Sequence, residues 1–206
     1  TNGLGRSIQE ITKPRSDGDQ KYDSATFYSI SNCQEGLSRV TLGNFLIKRV
    51  VFEIQEELPN IKHFGTLSPI PGFRDWFLYL DDVKIKNILG EVPIDNISFL
   101  KSSDLKVGDP RIVANKVAIT KLVAHYLMNE KNHKQLPVND VCRFHLGNGA
   151  IIDDIIINAN VSEVGLNRSF GVMVNYLYEL KNIEKNHEEY INNKTITISD
   201  KLKKII

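Results

Sequence analysis

The chain has little cysteine, no excess of either charge and no long hydrophobic run. Its two cysteines, Cys33 and Cys142, form no metal-spaced motif and no disulfide framework. They suit a reducing compartment. Lys and Arg total 26 against 25 Asp and Glu, leaving a net charge of +1. That balance excludes a basic footprint for nucleic acid, and no lysine-rich amphipathic stretch points to a membrane surface. No apolar run approaches the roughly 20 residues of a membrane span. The chain opens on Thr1 and polar residues without the apolar stretch of a signal peptide, so it reads as a piece of something longer. No cluster of His, Cys, Asp and Glu has metal-ligand spacing. What is present, at 41% hydrophobic residues, is enough apolar surface for a sizeable core, and 206 residues make one large domain or a domain plus a partial one.

Residues 1–24 form a polar, loop-rich lead-in, ending in the Pro- and Gly-containing stretch 14–24. Alternating apolar and small residues predict a strand over 25–32. Apolar positions near helical spacing predict a helix over 45–58, with Asn44 as N-cap and Pro59 as stop. A second strand follows over 61–68. The order strand, glycine loop, helix, strand is a crossover unit, so the two strands should be parallel. Short helices are expected over 73–80 and 82–89, and a long one over 110–129 with Asp109 as cap and Pro110 in its first turn. Residues 170–180 read as a strand, 181–194 as a charged, solvated stretch, and the C-terminus as a helix capped by Ser199.

Three places could carry chemistry. The glycine loop 33–44 lies between a strand and a helix, where free N–H groups and the helix dipole favour an anion, although an ordinary connection would look alike. It matches neither the P-loop nor the dinucleotide-binding pattern. Ser68 ends a parallel strand at the edge where α/β ligand sites collect, and Pro69 biases it to extended backbone. It is a turn residue or a functional hydroxyl. His145 stands just before the Gly147-Asn148-Gly149 turn, as a core histidine or as an acid/base group.

Five blocks, FYSISNCQEGL, LGNFLIKRVV, LSPIPGF, FHLGNGA and VMVNYLYEL, occur in an order and spacing that resembles the catalytic domain of the malonyl-CoA decarboxylase family. The resemblance runs from about Ile8 to near the C-terminus. It implies a mixed α/β (α+β), GNAT-like acyl-CoA fold: a central mixed sheet flanked by helices, with the early strands and a helical N-terminal domain lying before Thr1. The chain would then be a single partial catalytic domain with an exposed sheet edge. The implied reaction converts malonyl-CoA to acetyl-CoA and carbon dioxide without metal or organic cofactor. The family's catalytic serine and histidine fall on Ser68 and His145. Its CoA-contacting loop falls on Ser38, Arg39, Val40, Thr41, Leu42, Gly43 and Asn44, and Tyr178 is a further substrate-site residue. Thr41 departs from the glutamate of animal members, so no carboxylate role is implied there. The family also implies a homo-oligomer and a cytoplasmic or mitochondrial setting.

The residue types suit this chemistry. Decarboxylation leaves an enolate on the thioester, which is its own electron sink. An enzyme need only orient the carboxylate, stabilise the oxyanion and protonate carbon. Ser68 is expected to engage the carboxylate, and His145, as imidazolium near neutral pH, to donate the proton. Rival readings are a GNAT-type acetyltransferase, an inactive CoA-binding fragment and a serine hydrolase, the last lacking the G-x-S-x-G elbow.

Overall fold

The computed structural model describes residues 1–13, 22–28 and 43–206. Four strands form one sheet in the order β1-β2-β4-β3. They are β1 (Ser24–Phe27), β2 (His63–Pro69), β3 (Ile151–Ile156) and β4 (Met173–Leu177). The helices are α1 (Ile8–Thr12), α2 (Gly43–Glu57), α3 (Phe73–Leu78), α4 (Asp82–Leu89), α5 (Pro110–Ala114) and α6 (Lys116–Met128). They continue with α7 (Asp140–Gly147), α8 (Glu163–Ser169), α9 (Ile183–Asn193) and α10 (Asp200–Lys203).

β1 and β2 pair in parallel, Ser24 opposite His63, as the crossover order requires. β4 is antiparallel to both β2 and β3, so the sheet is mixed, and helices flank it, as expected. β2 lies inside the sheet and is buried from Phe64 to Ser68. Side chains alternate faces along a strand. Phe64, Thr66 and Ser68 therefore share one face, and Gly65 and Leu67 the other. Phe64, Val174 and Tyr176 join the main core with α6 and α7, whereas Leu67, Ile156, Ala159 and Met173 form a smaller cluster with Ile8 and Ile11 of α1. The lead-in thus carries a short helix as well as loop, and Thr1 hydrogen-bonds along Ser24. Pro69 ends β2 beyond the last residue paired with β1, where its missing N–H removes no bond from that ladder.

Several elements differ from expectation for local reasons. α2 starts at Gly43, so Asn44 lies in its first turn and is not the residue before it. The long helix expected over 110–129 is two, α5 and α6, parted at Asn115. There the backbone leaves helical geometry (φ −105°, ψ 27°) and the side-chain amide donates to the Arg111 carbonyl. Asparagine offers the backbone this local alternative to helix. The strand expected over 170–180 is confined to β4, because Phe170 and Gly171, at φ 55° and 77°, close α8 and turn the chain. The stretch 181–194 is helical, not merely solvated. Ile183 and Tyr190, two turns apart, bury one side of α9 beneath its charged residues.

α9 also holds the turn after α7. Asn186 donates to the Gly149 carbonyl at 3.3 Å, and His187 Nδ1 donates to the Gly147 carbonyl at 2.6 Å. Gly149 has φ 79°, and a Cβ there would collide with the Ile183 carbonyl oxygen. Gly149→Ala should therefore cost about 1–3 kcal/mol, combining left-handed strain with displacement of α9. Urea unfolding should show a lower midpoint at unchanged slope. An unchanged midpoint would mean that α9 does not restrain this turn.

Candidate active site

α7 delivers His145 to the sheet. Asn139 caps the helix by accepting from the Cys142 N–H, and the helix stops after two turns. His145 lies in its last turn, and its carbonyl accepts from both Asn148 and Ala150 N–H groups. The imidazole stacks on the Tyr176 ring of β4, with centroids 4.4 Å apart and planes at 25°. Phe144 meets its edge. The ring position is thus set by a capped helix below and an aromatic ring on the sheet.

Both ring nitrogens are engaged. Nε2 lies 3.0 Å from Ser68 Oγ on β2, and Nδ1 lies 2.8 Å from the Tyr178 hydroxyl, one residue beyond β4. Ser68 in turn donates its hydroxyl to Thr66 Oγ1 at 2.9 Å. Ser68 is 5% exposed, His145 and Tyr178 2%, and Thr66 fully buried, so all four side chains are buried and Ser68 is the most accessible of them.

Burial alone pushes the His145 pKa down from 6.5 to about 3. The ring is therefore neutral at pH 7, which corrects the expectation of an imidazolium donor. No carboxylate contributes to compensate its desolvation. Burial likewise holds the Tyr178 hydroxyl far above its ordinary range, so it stays protonated. Counting donors then assigns the tautomer. Ser68 spends its one proton on Thr66, so its oxygen accepts from His145, and Nε2 carries the hydrogen. Nδ1 is bare and accepts from Tyr178. The chain runs in one direction: Tyr178 O–H to Nδ1, Nε2–H to Ser68 Oγ, Ser68 O–H to Thr66 Oγ1.

Of the residues named from the sequence, Ser68, His145 and Tyr178 thus come together. Ser38, Arg39, Val40, Thr41 and Leu42 lie outside the described residues, and Gly43 and Asn44 open α2. Thr66 and Tyr176 escaped notice. Each stands two residues before a singled-out position, Ser68 and Tyr178, on the same strand face. That spacing was the available signal. Among the described residues no three His, Cys, Asp or Glu side chains converge as a metal site, and no helix is long and apolar enough to cross a membrane.

The family model described as malonyl-CoA decarboxylase C-terminal domain matches residues 1–206. The chain belongs to the malonyl-CoA decarboxylase family. Mitochondrial malonyl-CoA decarboxylase of Rattus norvegicus is 36% identical over 228 residues, covering 100% of this chain and 46% of that protein. The corresponding protein of Anser anser anser is 35% identical, over 98% of this chain and 44% of its own length. The crystal structure of malonyl-CoA decarboxylase from Rhodopseudomonas palustris superposes with a TM-score of 0.84 at 33% identity, covering 100% of this chain and 47% of that one. The structure from Agrobacterium vitis gives 0.84 at 33% identity, with 51% of its chain covered. The chain therefore spans about half the length of these malonyl-CoA decarboxylase relatives.

Proposed function

We propose that the protein carrying this chain decarboxylates malonyl-CoA to acetyl-CoA and carbon dioxide, and that the chain headed by Ser68 supplies the proton. The supporting observation is the polarity that the donor count gives to that chain: the Tyr178 O–H points to His145 Nδ1 and the His145 Nε2–H to Ser68 Oγ, so both protons are directed towards the serine. In a nucleophilic serine the polarity is opposite, with the hydroxyl donating to an imidazole that acts as base. Family membership adds the substrate class.

The steps follow from the geometry. Ser68 engages the malonyl carboxylate with its hydroxyl and helps to hold it out of the thioester plane. The carbon–carbon bond breaks, carbon dioxide leaves, and the electron pair passes onto the thioester as an enolate. The enolate carbon takes the Ser68 proton, and Nε2–H of His145 restores the serine while the Tyr178 hydroxyl, still protonated, stabilises the resulting imidazolate by donating its hydrogen bond to Nδ1. After the product leaves, water returns one proton through Ser68 to Nε2, so one solvent proton is consumed per turnover and the starting tautomer is regained. A neutral imidazole suffices as donor, because a thioester enolate carbon is a stronger base than imidazolate. No metal or organic cofactor is required, since the thioester accepts the electrons.

The CoA moiety is assigned to the loop Ser38–Asn44 on a GNAT-like acyl-CoA scaffold. The first turn of the 15-residue α2, which begins at Gly43, offers N–H groups and the positive end of a helix dipole to a pyrophosphate. Gly43→Val should raise the dissociation constant for CoA about tenfold, equivalent to ~1.4 kcal/mol. Calorimetric titration of the folded variant tests it, and unchanged affinity would remove the loop from the site.

The reaction is tested by supplying malonyl-CoA to the complete protein and following acetyl-CoA and carbon dioxide together. Equal amounts of both are expected, with no free thiol. Free CoA formed from acetyl-CoA and an amine, without decarboxylation, would establish the acetyltransferase instead.

A further inference from the structure

Building on that reading, we infer that Thr66 is a positioning residue that sets the direction of the proton chain by accepting the Ser68 hydroxyl. Thr66 and Ser68 share one face of β2, and Thr66 Oγ1 lies 2.9 Å from Ser68 Oγ in a fully buried position. A serine hydroxyl has one proton and free rotation about its C–O bond. Ser68 has two protein acceptors within reach, Thr66 Oγ1 and His145 Nε2. While the proton lies on Thr66, the imidazole hydrogen must be on Nε2, and Tyr178 must donate to Nδ1. Without the threonine oxygen, the hydroxyl turns onto Nε2. The imidazole hydrogen then moves to Nδ1 and is donated to Tyr178, so the chain reverses. Its protons would face inward, away from the carbon that needs one.

The backbone gives Thr66 a fixed place from which to act. The strand pairs it with Tyr176, whose ring carries the imidazole. The Thr66 carbonyl accepts from Asn175 Nδ2 at 2.9 Å. The acceptor for Ser68 and the platform for His145 are therefore opposite each other on neighbouring strands.

Thr66→Val removes the oxygen at nearly constant shape, and Thr66→Ser keeps it. The test uses the complete protein with nitrogen-15-labelled histidine, the His145 signals being identified by their absence in His145→Asn. Wild type and Thr66→Ser should show a protonated Nε2 and a bare Nδ1. Thr66→Val should show the opposite tautomer, with kcat lowered about 5–10-fold, the worth of one hydrogen bond, and KM unchanged. Retention of the Nε2–H tautomer in Thr66→Val overturns the inference, as does an unaltered kcat. If Thr66→Val does not fold, Thr66→Ala is read in the same way. A wild-type protein that makes no acetyl-CoA from malonyl-CoA overturns the proposed reaction instead, and the tautomer comparison still decides the role of Thr66.

Discussion

Exchanging His145 for asparagine is expected to lower malonyl-CoA turnover by about 10²–10⁴-fold, the usual contribution of a positioned acid/base group. Substrate binding should change little, because in the proposed relay His145 reaches the substrate only through Ser68. Ser68→Ala should lose a similar factor, since the chain then ends short of the enolate carbon. Combining the two should cost much less than the product of the single effects, because groups that act in one relay fail together. Steady-state rates of the three variants in the complete protein, with binding measured separately, decide this. Multiplicative losses would mean that Ser68 and His145 work independently. Full turnover in His145→Asn at pH 7 would take the histidine out of the mechanism.

The second large effect is on stability in mild acid. In the unfolded chain His145 titrates near 6.5, whereas burial holds it near 3 in the folded state. Between those values the unfolded state binds a proton that the folded state refuses. Stability is therefore complete above pH 6.5 and declines as pH falls, by about 1.4 kcal/mol per pH unit for this one group. The whole window is worth on the order of 5 kcal/mol, comparable with the entire stability of a modest domain. Denaturant unfolding followed by the single tryptophan, Trp76, should show wild type losing about 2 kcal/mol more between pH 7 and pH 5 than His145→Gln. His125, also depressed by burial, shifts both proteins alike and cancels in the difference. Equal acid sensitivity would show that His145 is not held neutral by the fold. The rate should not show the bell of an imidazolium donor with an ordinary pKa, and should have no limb near 6.5 from His145.

The parts of the fold that were legible in the sequence are those whose signals are local. The parallel β1–α2–β2 unit follows from periodicity and turn residues. Asp109, Pro110 and Ser199 mark real helix starts, with Ser199 accepting from the Leu202 N–H. β3 was not read because its Ile-Ile-Asp-Asp-Ile-Ile pattern does not alternate. The register shift between Ile152 and Asp154 explains this, as a bulge inserts Asp153, which pairs with Lys201. α8 has few apolar residues, and α9 shows its inward face only as Ile183 and Tyr190, too sparse for a periodicity argument. At the site, Ser68, His145 and Tyr178 were carried by blocks of family resemblance, but the charge state of His145 was not. It depends on Tyr176, Phe144 and the β2–β4 pairing closing around the ring, which exist only after tertiary packing.

Thr66 and Ser68 belong to β2, Tyr178 follows directly on β4, and these neighbouring strands are far apart along the chain. No contiguous segment can therefore hold even a weakened version of the relay. The ladder between them is inside the sheet, so its amides should exchange with deuterium only when the domain opens as a unit. The site also forms late in folding, because closing such a distant pair is entropically slow. Chemical competence and the native state of this domain appear and vanish in one step, and a partly folded population has no fractional activity to contribute.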